Sequence, residues 1–149
     1  MLVYRIALAK YASALKASGR AARWNPNEVE MIYTASSRSL ACLENVVHRN
    51  KAGLNDNFRV MTIHIPDTIA IQTITTADLL PDWRAFNQMP YTQQLGAQWV
   101  KQGTTAILQV PSSIIDGETN YLINPLHADF GLVELVRVEA FVFDVRIKG

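Results

Sequence analysis

Short apolar stretches that alternate like strands outnumber the segments with helical periodicity in this chain, and that imbalance most restricts its fold. "LVYRIA" at 2–7, "EMIYTA" at 30–35 and "FRVMTIHIP" at 58–66 each read as a strand. The third puts Met61, Ile63 and Ile65 on one side. "TIAIQTI" at 68–74, "TAILQVP" at 105–111, "NYLIN" at 120–124 and "LVRVEAFVFDV" at 135–145 extend the series. One helix is expected after Ser36 or Ser37, whose oxygen can accept a free N–H of the first turn, ending near Asn50 to Gly53. A second starts near Pro90, carries Leu95 and Trp99 on its apolar stripe and stops at Gly103. Few helices placed irregularly among many strands predict an α+β fold rather than a regular α/β alternation. The 149 residues suit one core, and no repeat, low-complexity tract or linker divides them, so 1–149 reads as a single domain.

Much common chemistry is missing. Lysine and arginine total 14 against 13 acidic residues, and this balance argues against direct nucleic-acid binding through a basic face. No glycine-rich phosphate loop occurs. His48, His64 and His127 lack metal-ligand spacing, so no metal is expected and each reads as a structural or surface residue. The single cysteine, Cys42, excludes an internal disulfide and reads as a small buried thiol. No apolar run is long enough to span a membrane, and the first residues lack the order of a signal peptide, so a cytoplasmic location is expected.

The first helix contains an oddity. In "SLACLENVV" (39–47), Leu40, Leu43 and Val47 recur on one face, predicted to anchor the helix, yet Glu44 falls on or beside that face. Burying a carboxylate is costly unless it is paired, or else its pKa rises. Upstream lie Arg23 in a loop and Tyr33 in a strand. A guanidinium can clamp a phosphate, and a tyrosine ring can stack on a heterocycle. A carboxylate can stabilise a developing positive charge. Together they could serve cleavage of an N-glycosidic bond in a dinucleotide, through an oxocarbenium-like transition state. Taken alone, Arg23 reads more readily as a surface or salt-bridging residue, and Tyr33 as a ring at the edge of the core.

At these residues the chain resembles the RES-domain family, toxins of bacterial toxin–antitoxin modules. The resemblance runs through "VYRI" (3–6), "RWNP" (23–26), "IYTASSRSLACLE" (32–44), "LPDWRA" (80–85), "TQQLGAQWV" (92–100), "VPSSII" (110–115), "NYLINPLHADF" (120–130) and "FVFDVRI" (141–147). It implies a compact ADP-ribosyltransferase-like fold, with mixed strands forming a cleft for NAD. It assigns Arg23, Tyr33, Glu44 and Ser112 to the site, with Ser113 as the alternative if the register slips. Arg23 would hold the pyrophosphate or ribose, Tyr33 would pack at the nicotinamide end, and Ser112 would hydrogen-bond within the pocket. Glu44 would stabilise the transition state. Arg5 is carried as a secondary phosphate contact. Asn120 and Asn124 match family positions and are expected to fix loop backbone.

The implied activity is NAD depletion by hydrolysis or phosphorolysis of the nicotinamide–ribose bond. The alternatives are mono-ADP-ribosylation of a protein and an inactive module keeping only the antitoxin interface. The implied partner is an antitoxin with a DNA-binding domain, whose C-terminal region blocks the cleft; a homodimer of the free toxin is compatible with this. One departure stands out. Ala21 and Ala22 occupy positions where the family often has glycine, and alanine at positive φ would reroute the Arg23 loop.

Overall fold

The computed structural model describes residues 1–148. Its centre is a seven-stranded sheet of β1 (Leu2–Leu8), β2 (Ile32–Ala35), β3 (Phe58–His64), β4 (Ile71–Thr73), β5 (Ile107–Pro111), β6 (Thr119–Ile123) and β7 (Glu134–Phe141). The strand order is β4-β5-β6-β2-β1-β3-β7. Only β4 and β5 run parallel; every other pair is antiparallel. With α1 (Arg38–His48) and α2 (Met89–Gln102), this is the α+β architecture expected from the strand-rich sequence.

The helix ends follow their local chemistry. Ser37 caps α1, its side chain accepting the Leu40 N–H at 3.1 Å. Pro90 sits in the first turn of α2, where its missing N–H removes no helical bond. Gly103 ends α2 in the left-handed region at φ 63°, its N–H donating to the Trp99 carbonyl.

Period-two alternation divides the apolar side chains between the faces of the sheet. On one face Val3, Ile32, Met61, Ile63, Ile107 and Ile123 form a core cluster. On the other, Ile6, Ala35, Phe58 and Val60 pack with Leu40 and Ala41 of α1. Trp24, Met31, Leu108 and Leu122 pack with Trp99 of α2. The two helices thus cover different parts of one sheet face.

The expected anchoring face of α1 needs correction. Leu43 and Val47 are 38% and 56% exposed, while Leu40 and Ala41 are buried. The side turned inward runs Leu40, Ala41, Glu44 and Asn45, so Glu44 belongs to the packed side while two apolar neighbours do not. Asn45 belongs there because its Nδ2 donates to the Ile6 carbonyl of β1 at 3.2 Å. Cys42 is half-buried.

The middle of the sheet is parted. β1 matches β3 at seven successive positions, whereas β1 and β2 meet at the single pair Tyr4 and Ala35. Beyond that pair the strands separate. Arg5 reaches across the gap, donating from Nη1 to the Tyr33 carbonyl at 3.2 Å. A side chain here makes the contact that a continued backbone ladder would otherwise provide.

Candidate active site

Two adjoining cavities flank Tyr33 and Glu44, and the smaller of them opens where β1 and β2 part. One, of about 570 Å³, includes Arg23, Trp24, Tyr33, Glu44, Ser112 and Asn120 in its lining. The other, of about 340 Å³, includes Arg5, Tyr33, Glu44, Asn45, His48 and Arg49. Tyr33, Glu44 and His48 belong to both, so Glu44 stands on the wall between them. The structure therefore brings Arg5, Arg23, Tyr33, Glu44 and Ser112 around one pair of adjoining spaces.

Glu44 is fixed from across the sheet. Asn120 Nδ2 donates to Glu44 Oε1 at 2.5 Å and to the Thr34 carbonyl at 3.1 Å. Asn120 lies opposite Ala35 in the β2–β6 ladder, on the face that α1 covers. Burial pushes the Glu44 carboxyl above its ordinary range; the Asn120 hydrogen bond and the field of Arg5 pull the other way. A half-buried carboxylate held by a neutral amide keeps its charge available to a developing cation. Burial depresses the Arg5 pKa, with Glu44 opposing. His48 follows Glu44 by one turn; burial first, then Arg23 and Arg49, lower its pKa, which favours the neutral imidazole.

Arg23 spans the cavity mouth. Its Nη1 donates to the carbonyls of Trp83 at 3.3 Å and Ala85 at 3.4 Å, and its Nη2 to that of Arg84 at 3.2 Å. All three acceptors are neutral, so the charge is oriented without being cancelled. Trp24, buried beside it, packs against Trp83 with ring centroids 5.7 Å apart. The backbone before Arg23 does not need glycine: among the described residues the positive-φ positions are Glu28, Gly19, Gly103 and Gly117, and Ala21 and Ala22 are not among them.

Tyr33 has its hydroxyl committed. It accepts the Trp24 N–H at 2.9 Å and donates to Asn25 Oδ1 at 2.6 Å. Burial raises its pKa strongly, so it stays a neutral phenol. Its ring faces the cavity while its oxygen holds the Arg23 loop. Ser112 is also tied locally: its Oγ accepts the N–H groups of Ile114 and Ile115, each at 3.1 Å. Ser113, the alternative position, lines the same cavity.

Three residues carry more than the sequence reading gave them. Asn120, expected to fix loop backbone, instead sits in β6 and donates to the Thr34 carbonyl of β2 and to the carboxylate of Glu44. Asn124 does what was expected, its Oδ1 accepting the Leu126 N–H at 3.0 Å. His48, read as structural or surface, stands on the wall of both cavities. Phe86, 85% exposed, lines the larger cavity next to the loop that Arg23 holds, and no motif in the sequence marks it. Among the described residues no group of three or more His, Cys, Asp or Glu side chains is placed to hold a metal ion, and no helix is long and apolar enough to cross a membrane.

Comparison with known proteins joins this geometry to a family. The RES domain model matches residues 2–144. A relative from Sphingobium sp. named "Prs ADP-ribosylating toxin" is 39% identical over 127 residues, covering 84% of this chain and 79% of its own. A protein from Yersinia enterocolitica named "Toxin Res" is 32% identical over 153 residues, covering 99% of this chain and all of its own. Another "Toxin Res", from Photorhabdus laumondii, is 34% identical, covering 87% and 85%. Among solved structures, a chain of the M. tuberculosis MbcT–MbcA toxin–antitoxin complex superposes with a TM-score of 0.77. It covers 95% of this chain and 84% of its own at 21% identity, a likeness of fold.

Proposed function

The chain belongs to the RES domain family of toxins, and on that premise we propose that it consumes NAD by breaking the bond between nicotinamide and ribose. One observation carries the reading: Glu44 is held by Asn120 on the wall between two cavities that also present Arg5 and Arg23. When the C1′–N1 bond breaks, its electron pair passes to the pyridinium nitrogen and neutral nicotinamide leaves. The ribose becomes oxocarbenium-like, and Glu44 stabilises that charge and orients the incoming acceptor. Arg23 binds the pyrophosphate or the nicotinamide ribose, with Arg5 as a secondary phosphate contact. Tyr33 packs at the nicotinamide end, and Ser112 shapes the pocket for nicotinamide or ribose without forming a covalent bond. Because leaving discharges the pyridinium, positioning and electrostatics supply most of what the enzyme must add.

Hydrolysis or phosphorolysis is the first reading for the acceptor. Transfer of ADP-ribose to a protein is the second, favoured by the name of the Sphingobium relative, which makes Prs the acceptor to try. We read residues 1–149 as one RES domain acting in the cytoplasm. A cognate antitoxin, carrying a DNA-binding domain, would fill the cleft with its C-terminal region; the likeness to a chain of a toxin–antitoxin complex supports an antitoxin as partner.

The test is product analysis of antitoxin-free protein given NAD labelled on the ADP-ribose half. Free nicotinamide with unlabelled protein supports hydrolysis or phosphorolysis, and a phosphate-dependent labelled product separates the second from the first. Label on added Prs supports transfer. NAD left intact with water, phosphate and Prs all present would sink the enzymatic reading and leave an antitoxin-binding module.

A further inference from the structure

We propose that Thr92, Gln93 and Gly96, on one face of α2, are positioning residues that set where Arg23 presents its guanidinium. The inference rests on the NAD-cleaving reading for its functional consequence; its geometric part stands separately.

Three consecutive carbonyls of the Arg23 loop each meet one of these residues. Gln93 Nε2 donates to the Ala22 carbonyl at 2.9 Å. Thr92 Oγ1 donates to the Arg23 carbonyl at 2.5 Å and shares its proton with Met89 of its own helix at 3.2 Å. Gly96 meets the third: a Cβ there would overlap the Trp24 carbonyl oxygen and lie 2.8 Å from its carbon. Positions 92, 93 and 96 fall on one side of a helix by the three-to-four-residue period. Thr92 is fully buried, so the Arg23 carbonyl has no water to replace its bond to that hydroxyl.

The glycine makes sense only in this context. Inside a helix, glycine is less favourable than alanine by about 1 kcal/mol. Here it lets the loop backbone lie directly against the helix. From the other side, Tyr33 Oη accepts the Trp24 N–H and donates to Asn25. Residues 22–25 are therefore held between α2 and β2, and the Arg23 side chain leaves a backbone whose polar groups are fixed on both flanks.

The test uses Thr92→Val, Thr92→Ser and Gly96→Ala in the full chain, with KM for NAD, kcat and melting temperature measured for each. Thr92→Val keeps the side-chain shape but loses the donor. It should raise KM about 5-fold, the worth of one net hydrogen bond, with kcat within about 2-fold. Thr92→Ser should return KM to the wild-type value. Gly96→Ala, which displaces the loop, should cost about 10- to 100-fold in kcat/KM. Lowered melting temperatures with wild-type KM in both Thr92→Val and Gly96→Ala would overturn the assignment, and Thr92→Val keeps the test open if Gly96→Ala does not fold. A second readout is the NMR resonance of the Arg23 Nε–H. If the wild-type protein consumes no NAD, the enzymatic reading fails, and this resonance alone decides the positioning claim: a shift in Thr92→Val that Thr92→Ser reverses upholds it, and an unmoved signal overturns it.

Discussion

Ionised Glu44 works against the fold that holds it. Burial raises its pKa, and the raised folded-state value means that the folded chain binds this proton more tightly than the unfolded chain. The stability so contributed is complete below the ordinary carboxyl value of 4.5 and is lost as pH rises through the elevated folded-state value. Glu44→Gln keeps the oxygen that faces Asn120 and removes the charge. Its melting temperature at pH 7 should therefore exceed that of the wild type, with the gain vanishing below about pH 4. Turnover of NAD should fall about 100- to 1000-fold, while binding persists. A variant less stable at pH 7, or one with normal turnover, contradicts the corresponding half of this account. Arg23 gives a second test. Arg23→Lys keeps a positive charge but cannot fork to the carbonyls of Trp83, Arg84 and Ala85. Stability should drop by about 1 kcal/mol in urea titrations and KM for NAD should rise about 10-fold. At this scale the sequence was partly legible. Arg23, Tyr33, Glu44 and Ser112 could be picked out because a family resemblance fixes their order and spacing, and the structure gathers them. The bond between Asn120 and Glu44 could not be read, because it joins residues 76 apart through a strand pairing that leaves no local pattern.

At the scale of an element, α1 shows why existence is easier to read than orientation. Its cap at Ser37 and its helical period were both visible in the residues. Which stripe faces inward was not. Leu43 and Val47 lie on one flank of Leu40, and Ala41 and Asn45 on the other; the position of β1 and β2 beneath the helix selects the second. The choice uses a small side chain, an amide and a carboxylate where hydrophobicity alone would pick leucine and valine. Substitutions can separate the two stripes. Leu40→Ala should cost about 2–4 kcal/mol through transfer loss and the cavity it leaves. Val47→Gln should change stability by less than about 0.5 kcal/mol, as expected for an exposed site. Equal penalties in chemical denaturation would contradict the orientation described. The same logic explains α2, where Pro90, Trp99 and Gly103 marked the start, the stripe and the stop. Gly96, in the interior, acquires its meaning only from the loop packed on it.

Across the whole molecule, the sheet is continuous in its order but joined at its centre by one residue pair and one arginine side chain. A ligand seated in the parting touches both halves: Tyr4 and Arg5 on one strand, Tyr33 and Thr34 on the other. NAD bound to the Glu44→Gln variant at a hundredfold excess over Kd should raise the melting temperature by about 5–10 °C. Hydrogen-exchange protection should rise on β1 and β2 together; protection confined to one of them would place the ligand elsewhere. The α+β class was legible at this scale from strand count and irregular order. The parting was not, because every strand near it carries an ordinary alternating pattern. The long reach of the pairings also bears on synthesis. β2 emerges from a ribosome long before β6, its partner, and a nascent chain ending at residue 112 would hold Arg5, Arg23, Tyr33 and Glu44 but not the asparagine that fixes the carboxylate. A chain built in this order cannot fix the Glu44 carboxylate until Asn120 has been made and β6 has paired with β2.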